Sequence, residues 1–381
     1  MQTDILIIGA GIAGCSLAAG LSRIGINYYM IEKRSQPNEQ GAGIILQDNA
    51  LVALSSLGIE AQNLLRPHVV TSLNLGNADN PSLYNFPINS NQQPCISLHR
   101  EDLQQSLFNH TNPEYLTTSA TLSHIEKQKG GFLVSLSNGN SIHCKLIVGA
   151  DGIHSKARTQ LLRKTQTFRS TNQVCWRFVL SGMKLSGKGY ELHQGKLRLG
   201  LVPLSGERVY VFLVNHGISL QAAKQCKTSD FISIFREFGS MGSDLASKLE
   251  TTSSHLLHPL VDADICWHNN DAIGIIGDAA HPITPNLGMG AALALEDSAV
   301  LCRLFDRHGL DACVFHHLQN LRQARVKMIK ETSFWFGRTA HIESILFNKI
   351  KFGVLKHLPN HLLEMQQNAL TQGFAKTLSR I

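Results

Sequence analysis

The sequence has 381 residues, a hydrophobic fraction of 43%, a charged fraction of 17% and a formal net charge of +7. This length is too great for one small core and suits two intertwined domains, or one large α/β body with an inserted sheet. The positive charge favours anionic cofactors and substrates, and no block of lysine and arginine is long enough to indicate nucleic acid. No apolar stretch is long enough to span a bilayer.

Eight cysteines are scattered along the chain, and none forms a Cys-x-x-Cys pair. In a chain of this size, the pattern argues against a disulfide framework or a zinc site and for reduced thiols in the cytosol. We therefore expect a cytoplasmic protein without a bound metal. Cys15, Cys144 and Cys302 stand in apolar patterns, where small buried thiols are expected.

The first elements form a predicted βαβ unit. A buried strand over residues 4–8 leads into a glycine-rich turn, a helix over residues 13–24 and a second strand over residues 28–31. The turn reads Gly9-Ala10-Gly11-Ile12-Ala13-Gly14, which has GxGxxG spacing, and Glu32 ends the second strand. Together these features predict a dinucleotide-binding fold.

Each part of this motif has a physical role. Gly9 permits the tight turn, Gly11 lets a pyrophosphate approach the backbone, and Gly14 lets helix and strand pack closely. The N-terminus of the helix offers N–H groups and a positive dipole end to phosphate. Glu32 would accept hydrogen bonds from ribose hydroxyls and repel a 2′-phosphate. The motif thus indicates FAD or NAD and excludes NADP at this position.

The elements up to residue 164 extend this fold. Residues 47–57 and 100–108 predict helices, whereas residues 64–95, rich in Asn, Ser and Pro, predict a loop with edge strands. Residues 116–148 contain three alternating segments, separated by two glycine- and asparagine-containing hairpin turns.

The pattern changes between residues 165 and 261. Strands around residues 174–180, 197–202 and 209–214 predict an antiparallel sheet with one solvated face, and residues 230–238 predict a helix within it. A buried strand over residues 272–276 then returns to the first sheet. A long helical region begins near Gly288, and helices are predicted beyond residue 310.

Three later segments carry a resemblance to a known family. They are Gly149-Ala150-Asp151-Gly152-Ile153-His154-Ser155-Lys156-Ala157-Arg158, Gly277-Asp278-Ala279-Ala280-His281-Pro282 and Pro285-Asn286-Leu287-Gly288-Met289-Gly290. Their order and spacing resemble the class A FAD-dependent monooxygenases of the para-hydroxybenzoate hydroxylase fold, with salicylate hydroxylase-like enzymes and zeaxanthin epoxidase as the nearer likeness. The resemblance covers roughly residues 1–333.

The resemblance implies an α/β fold with three parts. A Rossmann-type FAD-binding domain would comprise residues 1–64, 96–164 and 271–333. An inserted, mainly antiparallel β-sheet substrate domain would comprise residues 65–95 and 165–270, and C-terminal helices would comprise residues 334–381.

The resemblance also implies a set of FAD-binding residues. Arg100 would meet the pyrophosphate or ribityl region, Asp151 would support FAD and the approach of the reductant, and Asp278 would bind a ribityl hydroxyl. Pro285 would lie beside the reactive edge of the flavin. The complete expected set is Gly9, Gly11, Ala13, Gly14, Glu32, Lys33, Gly43, Arg100, Asp151, Asp278, Pro285, Gly288 and Gly290.

Physical arguments support the residues after the last strand. A helix N-terminus from Gly288 onward would stabilise negative charge near N1 and O2 of a reduced flavin. Asp278 follows a strand at the edge where open α/β sheets bind ligands. Taken alone, Asp278 suits a helix cap and Asp151 a turn, but the joint pattern favours cofactor roles. For His281 we prefer a structural role that positions the loop before Pro285.

The substrate pocket is expected between the middle sheet and the flavin. The candidates contributed by that sheet are Tyr190, His193, Arg198, Phe212 and His258. His193 or His258 would serve as a base for a phenol and, with Pro285, they form the expected catalytic set. Arg177, in a Trp-Arg pair, either orders the wall beside the flavin or is a solvated strand residue.

The implied reaction uses NADH or NADPH as a transient reductant, since a second GxGxxG is absent. Oxygen would add at the flavin C4a carbon, and the hydroperoxide would hydroxylate or epoxidise a small aromatic or unsaturated substrate. The alternative is a reductase or oxidase of the same fold without oxygen insertion. We expect a monomer or homodimer that binds no nucleic acid.

A third hypothesis is a non-enzymatic role, as a flavin-bearing protein that associates with a membrane or binds a partner. It is motivated by the C-terminal segment, where aromatic and aliphatic clusters alternate with lysine and arginine after residue 326. A basic amphipathic helix of this kind can lie on an anionic membrane surface. We favour the alternative, in which the helices pack against the flavin domain.

Overall fold

The computed structural model describes residues 1–35, 42–88, 94–249, 255–268, 272–340 and 373–381. Within these residues, the strands in chain order are β1 (Gln2–Ile8), β2 (Tyr28–Ile31), β3 (Gly43–Leu46), β4 (His68–Val70), β5 (Ser72–Gly76), β6 (Tyr84–Pro87), β7 (Cys95–His99), β8 (Leu116–Thr117), β9 (Leu122–Gln128), β10 (Gly131–Leu136), β11 (Ser141–Gly149), β12 (Phe168–Ser181), β13 (Lys188–Gln194), β14 (Leu197–Leu204), β15 (Arg208–His216), β16 (Leu256–Ala263) and β17 (Ile273–Ile275).

The helices of the described residues are α1 (Ile12–Arg23), α2 (Asp48–Ser56), α3 (Arg100–Phe108), α4 (Leu220–Lys224), α5 (Thr228–Arg236), α6 (Gly239–Lys248), α7 (Gly290–His308), α8 (Cys313–Ala340) and α9 (Gly373–Leu378). The helices expected over residues 47–57, 100–108 and 230–238 are therefore confirmed to within two residues at each end. Helix α7 begins two residues after Gly288, where the sequence pattern had suggested its start.

The first sheet confirms the predicted βαβ unit. Strand β1 pairs in parallel with β2 and β11, and β17 pairs in parallel with β11. The run Ile5-Leu6-Ile7-Ile8 is buried throughout, because both faces of a parallel sheet are covered. Strands β9, β10 and β11 form the antiparallel meander that the two hairpin turns predicted.

The second sheet has the strand order β16-β12-β15-β14-β13-β5-β6 and is antiparallel except between β13 and β5. The antiparallel sheet expected after residue 165 is confirmed. Strands β5 and β6 lie at one edge, as expected for part of the stretch before residue 95. Strand β4 instead pairs with β7, which also pairs with β3, in a small three-stranded sheet.

The expectation of one solvated face on the second sheet is wrong. One face is covered by α4, α5 and α6, where Trp176 and Phe178 pack against Phe231 of α5. The opposite face is covered by the rest of the molecule. There, β15 packs against β3, and Gln173 of β12 donates a hydrogen bond to the Gly337 carbonyl of α8 at 2.8 Å. The sheet is thus sandwiched between two layers.

The helical region after Gly288 is confirmed as far as residue 340. Helix α7 packs against α1, α2 and α8. Residues 341–372, which hold most of the basic amphipathic segment, lie outside the described residues. Among the helices that are described, none is long and apolar enough to cross a membrane. Cys15, Cys144 and Cys302 are buried free thiols, as the apolar patterns predicted.

Candidate active site

The turn after β1 is shaped by close backbone contacts. Gly9 donates its N–H to the Ile31 carbonyl at 2.8 Å and has a positive φ of 105°. A Cβ on Gly9 would lie 2.6 Å from the Ala150 carbonyl oxygen, and one on Gly14 would lie 1.9 Å from the Gly9 carbonyl oxygen. Side chains at these two positions would collide with backbone, so the fold itself requires both glycines.

Gly11 differs from the other two glycines. A Cβ at this position would meet nothing within 4 Å. Gly11 precedes α1, whose first turn has neither a side-chain cap nor an acidic residue. The N-terminal N–H groups of α1 and the positive end of its dipole therefore face an open space that suits a phosphate. Ala13 lies in the first turn of the same helix.

Glu32 is fixed at the end of β2 by two backbone donors. Its Oε2 accepts a hydrogen bond from Ala10 N at 2.9 Å, and its Oε1 accepts one from Arg34 N at 3.0 Å. A carboxylate has four lone-pair sites, so each oxygen retains capacity for a ribose hydroxyl. The adjacent Lys33 is exposed.

The second part of the site follows β17. Asp278 lies in a 3-10 turn and is accessible to solvent, as is Arg100 at the start of α3. Surrounding protein raises the pKa of Asp278, and the nearby positive charge of Arg100 opposes that rise. The surrounding protein also lowers the pKa of Arg100 by desolvation, which the negative charge of Asp278 counteracts. The two groups are therefore close enough for their opposite charges to influence each other.

The segment from Pro285 to Gly290 borders this region. Pro285 is exposed and starts a 3-10 turn, which Gly288 ends in the left-handed conformation with φ 64°. Gly290 is the first residue of α7, and a Cβ there would lie 3.9 Å from Asp278 Oδ1. The first turn of α7 has no side-chain cap and no acidic residue. Its N-terminus is thus suited to a developing negative charge.

The two distant parts of the chain meet in space. A Cβ on Gly277 would lie 3.0 Å from the Cβ of Ala13 in α1. The hydroxyls of Ser16 and Ser298 are hydrogen-bonded at 2.8 Å, which joins α1 to α7. The glycine-rich turn and the segment from residue 277 to 290 therefore border the same side of the first sheet.

Asp151 adopts the turn-forming role that its sequence context allowed. Its carboxylate accepts hydrogen bonds from Ser155 Oγ at 2.5 Å, Lys156 N at 2.6 Å and Ala157 N at 3.0 Å. The preceding residue, Ala150, is the one that contacts Gly9. Asp151 consequently stands beside the glycine-rich turn, while its role towards FAD or the reductant stays a prediction.

His281 has the structural role that we preferred. It is buried, and its Nε2 lies 2.5 Å from Asp297 Oδ2. The Asp297 carboxylate also accepts hydrogen bonds from Gly277 N at 3.0 Å and Arg322 Nε at 2.8 Å. Burial alone would raise the pKa of Asp297, but His281 and Arg322 outweigh it and lower that pKa. The sequence analysis missed Asp297 and Arg322, although charged residues within apolar helical stretches were a signal.

Strand alternation divides the candidate substrate residues between two faces of the second sheet. The face opposite the α4–α6 helices, which meets β3 and α8, carries Arg177, Arg198, Phe212 and His258. Tyr190 instead packs against the hydrophobic cluster on the helix-covered face. The structure therefore does not bring Tyr190 together with the other candidates, because its strand position has the opposite parity.

Arg198 connects the sheet to the turn beside Gly288. It is only 2% exposed, and its Nη2 donates a hydrogen bond to Asn286 Oδ1 at 2.6 Å. Asn286 Nδ2 donates to the Ser333 carbonyl of α8 at 3.0 Å. On the other side, Arg198 Nη1 lies 3.7 Å from Glu191 Oε1, which is 3.0 Å from His193 Nε2. Within the described residues, Arg198 Nε has no hydrogen-bond partner.

Two aromatic rings define the same face. The Phe212 ring lies across Gly200, where a Cβ would be 1.9 Å from the ring. Similarly, Tyr210 lies against Gly43, where a Cβ would be 2.4 Å from the ring carbon Cγ. Gly43 is therefore required by packing between β3 and β15. Tyr210 and Gly200 were missed, because their contacts join segments far apart in the chain.

Arg177 and His258 form a pair on this face. Arg177 Nη1 lies 3.3 Å from His258 Nδ1. Burial lowers the pKa of His258, and the charges of Arg177 and Arg100 lower it further. Among the residues described, no cluster of His, Cys, Asp and Glu is suited to a metal ion.

Comparison with known proteins identifies the family. A family model described as FAD binding domain matches residues 2–308. The chain belongs to this family. It is 29% identical over 376 residues to 2-heptyl-3-hydroxy-4(1H)-quinolone synthase of Pseudomonas aeruginosa, with 93% of this chain and 94% of the relative covered. It is 26% identical over 355 residues to aurachin C monooxygenase/isomerase of Stigmatella aurantiaca, with 89% and 90% covered.

A solved structure shows the same fold. HpxO of Klebsiella pneumoniae, complexed with FAD and uric acid, superposes with a TM-score of 0.85 at 19% identity, covering 99% of this chain and 96% of that chain. The chain is thus a class A FAD-dependent monooxygenase, as the three late motifs implied. The open space at Gly11, the fixed carboxylate of Glu32 and the uncapped start of α7 fit this cofactor.

Proposed function

We propose that this monooxygenase uses NADH or NADPH and O2 to hydroxylate a small aromatic compound that carries an oxygen substituent on its ring. The leading class is the 4-quinolones. The observation that carries the proposal is the face of the second sheet that holds Arg198, Phe212 and His258 towards the cofactor segments. The relative from Pseudomonas aeruginosa is named for a 3-hydroxy-4(1H)-quinolone, a flat ring system with a carbonyl oxygen attached at C4.

The first sheet and its helices would hold the cofactor. The N-terminus of α1 at Gly11 would bind the pyrophosphate, and Glu32 would accept hydrogen bonds from the adenosine ribose. Arg100 would neutralise phosphate charge, and Asp278 would accept a hydrogen bond from the ribityl chain. When bound, FAD supplies electron transfer and oxygen activation, which side chains alone cannot provide.

The remaining predicted cofactor residues have supporting roles in this proposal. The N-terminus of α7, with Gly288 and Gly290, would stabilise negative charge on the pyrimidine ring. Pro285 would lie beside the reactive edge of the flavin. Asp151 would lie beside the path along which NADH or NADPH approaches. Lys33 would lie beside the adenosine of FAD. Gly43 would keep β3 close to β15.

The second sheet would hold the substrate. Phe212 supplies an apolar surface for an aromatic ring, and its neighbour Arg198 supplies a buried positive charge within reach of that surface. Packing of α8 along the sheet would exclude water from the reacting atoms. His193, bound to Glu191, would contact the substrate from the next strand.

The proposal includes the organisation of the whole chain. We place the domain boundaries near residues 65, 96, 165 and 271, because the chain passes between the two large sheets in these regions. We further propose that the protein acts in the cytoplasm as a monomer or homodimer. Contact of its C-terminal helices with a membrane surface is not part of the favoured arrangement.

The decisive experiment measures oxygen transfer. The purified protein should be yellow, oxidise NADH or NADPH faster in the presence of 2-heptyl-4(1H)-quinolone, and incorporate oxygen-18 from O2 into the product. The Arg198→Met variant should raise the KM at least about tenfold, since a buried charge is lost at the pocket. Lys196→Met, an exposed change on the same hairpin, is the matched control.

Two results would contradict the proposal. Hydrogen peroxide formed without labelled product across a panel of quinolones and hydroxybenzoates would favour the oxidase alternative. An unchanged KM in Arg198→Met would remove this side chain from the substrate site.

A further inference from the structure

The Arg177–His258 pair fixes which nitrogen of the imidazole carries the proton. The two side chains project from neighbouring strands, since Cys175 of β12 faces His258 of β16 in the register. Arg177 Nη1 lies 3.3 Å from His258 Nδ1. A guanidinium has donors and no acceptor, so Nδ1 must accept this hydrogen bond. A neutral imidazole whose Nδ1 accepts carries its hydrogen on Nε2.

The charges around His258 keep the imidazole neutral. Burial lowers the pKa of His258, and the positive charges of Arg177 on β12 and Arg100 on α3 lower it further. The other polar groups beside Arg177 are the Tyr210 hydroxyl and the Cys175 thiol. Burial raises the pKa of both groups, so they are uncharged at neutral pH. Among the described residues, no carboxylate contributes to the pKa of His258. The imidazole is therefore neutral, with its hydrogen on Nε2.

This arrangement is the opposite of what a general base needs. A base at Nε2 would require a free lone pair on that nitrogen. The neutral imidazole has one basic lone pair, which lies on Nδ1 and accepts the hydrogen bond from Arg177. The sequence analysis had considered His258 as a base for a phenol. The geometry favours a donor at the same position.

We propose that Arg177 holds His258 as a neutral hydrogen-bond donor, whose Nε2–H binds an acceptor oxygen on the ring of the aromatic substrate. Arg177 is then a positioning residue, held in turn by Tyr210 and Cys175. The inference rests on the proposed function, because the molecule that His258 binds is taken to be the substrate of the monooxygenase.

The donor defines a substrate class. A neutral donor stabilises a carbonyl or an already ionised oxygen but removes no proton, so a 4-quinolone suits it better than a neutral phenol. A site built to hydrogen-bond an oxygen discriminates strongly against an analogue that lacks it, because a polar group is then left unpaired. His258 would thereby select substrates by an oxygen that is not the one being introduced.

The first test observes the imidazole directly. Ring-labelled nitrogen-15 NMR of the FAD-loaded protein, compared with the His258→Gln variant, assigns the His258 signal among the 18 histidines. We expect the Nε2–H neutral form at pH 7. In Arg177→Met, the pKa of His258 should rise and the Nδ1–H form should appear. An Nδ1–H form or an imidazolium at pH 7 in the unsubstituted protein would overturn the proposal.

The second test pairs two ligands with two variants. The unsubstituted protein should bind 2-heptyl-4(1H)-quinolone at least about tenfold more tightly than 2-heptylquinoline, which lacks the C4 carbonyl oxygen. His258→Leu should abolish this preference, whereas His258→Gln, which retains a donor, should keep most of it. FAD affinity should stay unchanged in both variants, and a parallel loss of FAD affinity would contradict a substrate role.

The control is His255→Gln. His255 stands next to β16, but its ring packs against Phe178 and Phe231 on the helix-covered face. This change should leave the ligand preference intact. If the protein transfers oxygen to another compound but prefers neither ligand, the donor's substrate class is wrong while the monooxygenase function stands. If no oxygen transfer occurs at all, the proposed function fails, and the NMR result still decides the state of His258.

Discussion

At the scale of single residues, the three glycines of the N-terminal motif have different physical duties. Gly9 and Gly14 are required because a Cβ would collide with backbone, whereas a Cβ on Gly11 would enter open space. The first two therefore serve folding, and Gly11 serves the ligand. The sequence spacing predicts all three positions equally well and does not separate these duties.

This difference gives a paired prediction. Gly11→Ala should leave the melting temperature of the FAD-free protein unchanged but weaken FAD binding at least about tenfold, since the methyl group occupies the phosphate position. Gly14→Ala should lower the free energy of unfolding by about 1–3 kcal/mol through overpacking. Thermal unfolding and fluorescence titration with FAD measure both effects. Equal stability losses in the two variants would show that the open space is misassigned.

Some residues of the site could be predicted from local pattern and others could not. Glu32 and the motif glycines were predictable, because their partners are close in sequence or their spacing is characteristic. Tyr210 and Gly200 were not predictable, because their packing contacts exist only after folding brings the strands together. Tyr190 was proposed for the pocket from its sheet alone, and its side chain lies on the helix-covered face of β13.

At the scale of elements, a buried charge cluster joins α7, α8 and the turn before Pro285. Glu296 and Asp297 of α7 both pair with Arg322 of α8, and Asp297 also pairs with His281. All four side chains are buried. Such a cluster holds the elements in one arrangement, because any displacement leaves a buried charge without its partner.

Removal of one member should be costly. Asp297→Asn leaves Arg322 and His281 without a full counter-charge, and we expect a loss of about 3–5 kcal/mol in the free energy of unfolding. Asp306→Asn, an exposed change on the same helix, should have little effect. Chemical denaturation measures both. A loss below about 1 kcal/mol for Asp297→Asn would contradict the structural role of the cluster.

The same cluster predicts acid sensitivity. Burial alone would raise the pKa of Glu296, but Arg322 and Arg325 outweigh it, and that pKa is lowered, as is that of Asp297. A carboxyl whose pKa is depressed in the folded state stabilises the protein above its unfolded pKa. This stability is lost as the pH falls through the depressed value. Denaturation of the FAD-free protein should therefore become easier as the pH falls below about 4.5, and less steeply so in Asp297→Asn.

Asn286 joins Arg198 of β14 to Ser333 of α8 by two hydrogen bonds. We expect its loss to uncouple NAD(P)H oxidation from oxygen transfer to the substrate. Asn286→Ala removes the acceptor for Arg198 and the contact with α8, so the pocket wall should lose its fixed position beside the cofactor segments. We expect the fraction of NAD(P)H oxidation that ends in hydrogen peroxide to increase several-fold, because water exclusion is weakened. Asn109→Ala, on the exposed end of α3, is the control. An unchanged peroxide fraction would show that the bridge is dispensable.

Most helices and strands were predictable from the sequence, whereas the layers that cover each sheet face were not. The βαβ unit, the meander and the strands β12, β14 and β15 follow from hydrophobic periodicity and turn residues, whereas β3, α4 and α6 were not predicted. The solvated face assigned to the second sheet was wrong, because α4–α6 and the first-sheet side cover it from both directions. These covering layers come from distant segments, and a strand's own alternation reports only which residues share a face.

At the scale of the whole molecule, the two largest hydrophobic cores of the described residues are each built on one of the two large sheets. The larger core contains the first sheet with α1, α2 and α7, and the smaller one lies between the second sheet and α4–α6. Arg34 and Arg177 are both close enough to Arg100 for their positive charges to lower its pKa. They add to a net charge of +7, which attracts a dinucleotide carrying two phosphates.

FAD affinity should therefore depend on salt. Raising KCl from about 0.05 to about 0.5 M shortens the Debye length to about 4–5 Å, which screens the attraction between the arginines and the pyrophosphate. We expect a loss of affinity of about tenfold, with a clearly smaller loss in Arg100→Met because one contributing charge is gone. Lys129→Met, in the exposed turn between β9 and β10, changes net charge equally and should retain the salt dependence of the unsubstituted protein. If the two variants respond alike, the attraction comes from net charge alone and not from the position of Arg100.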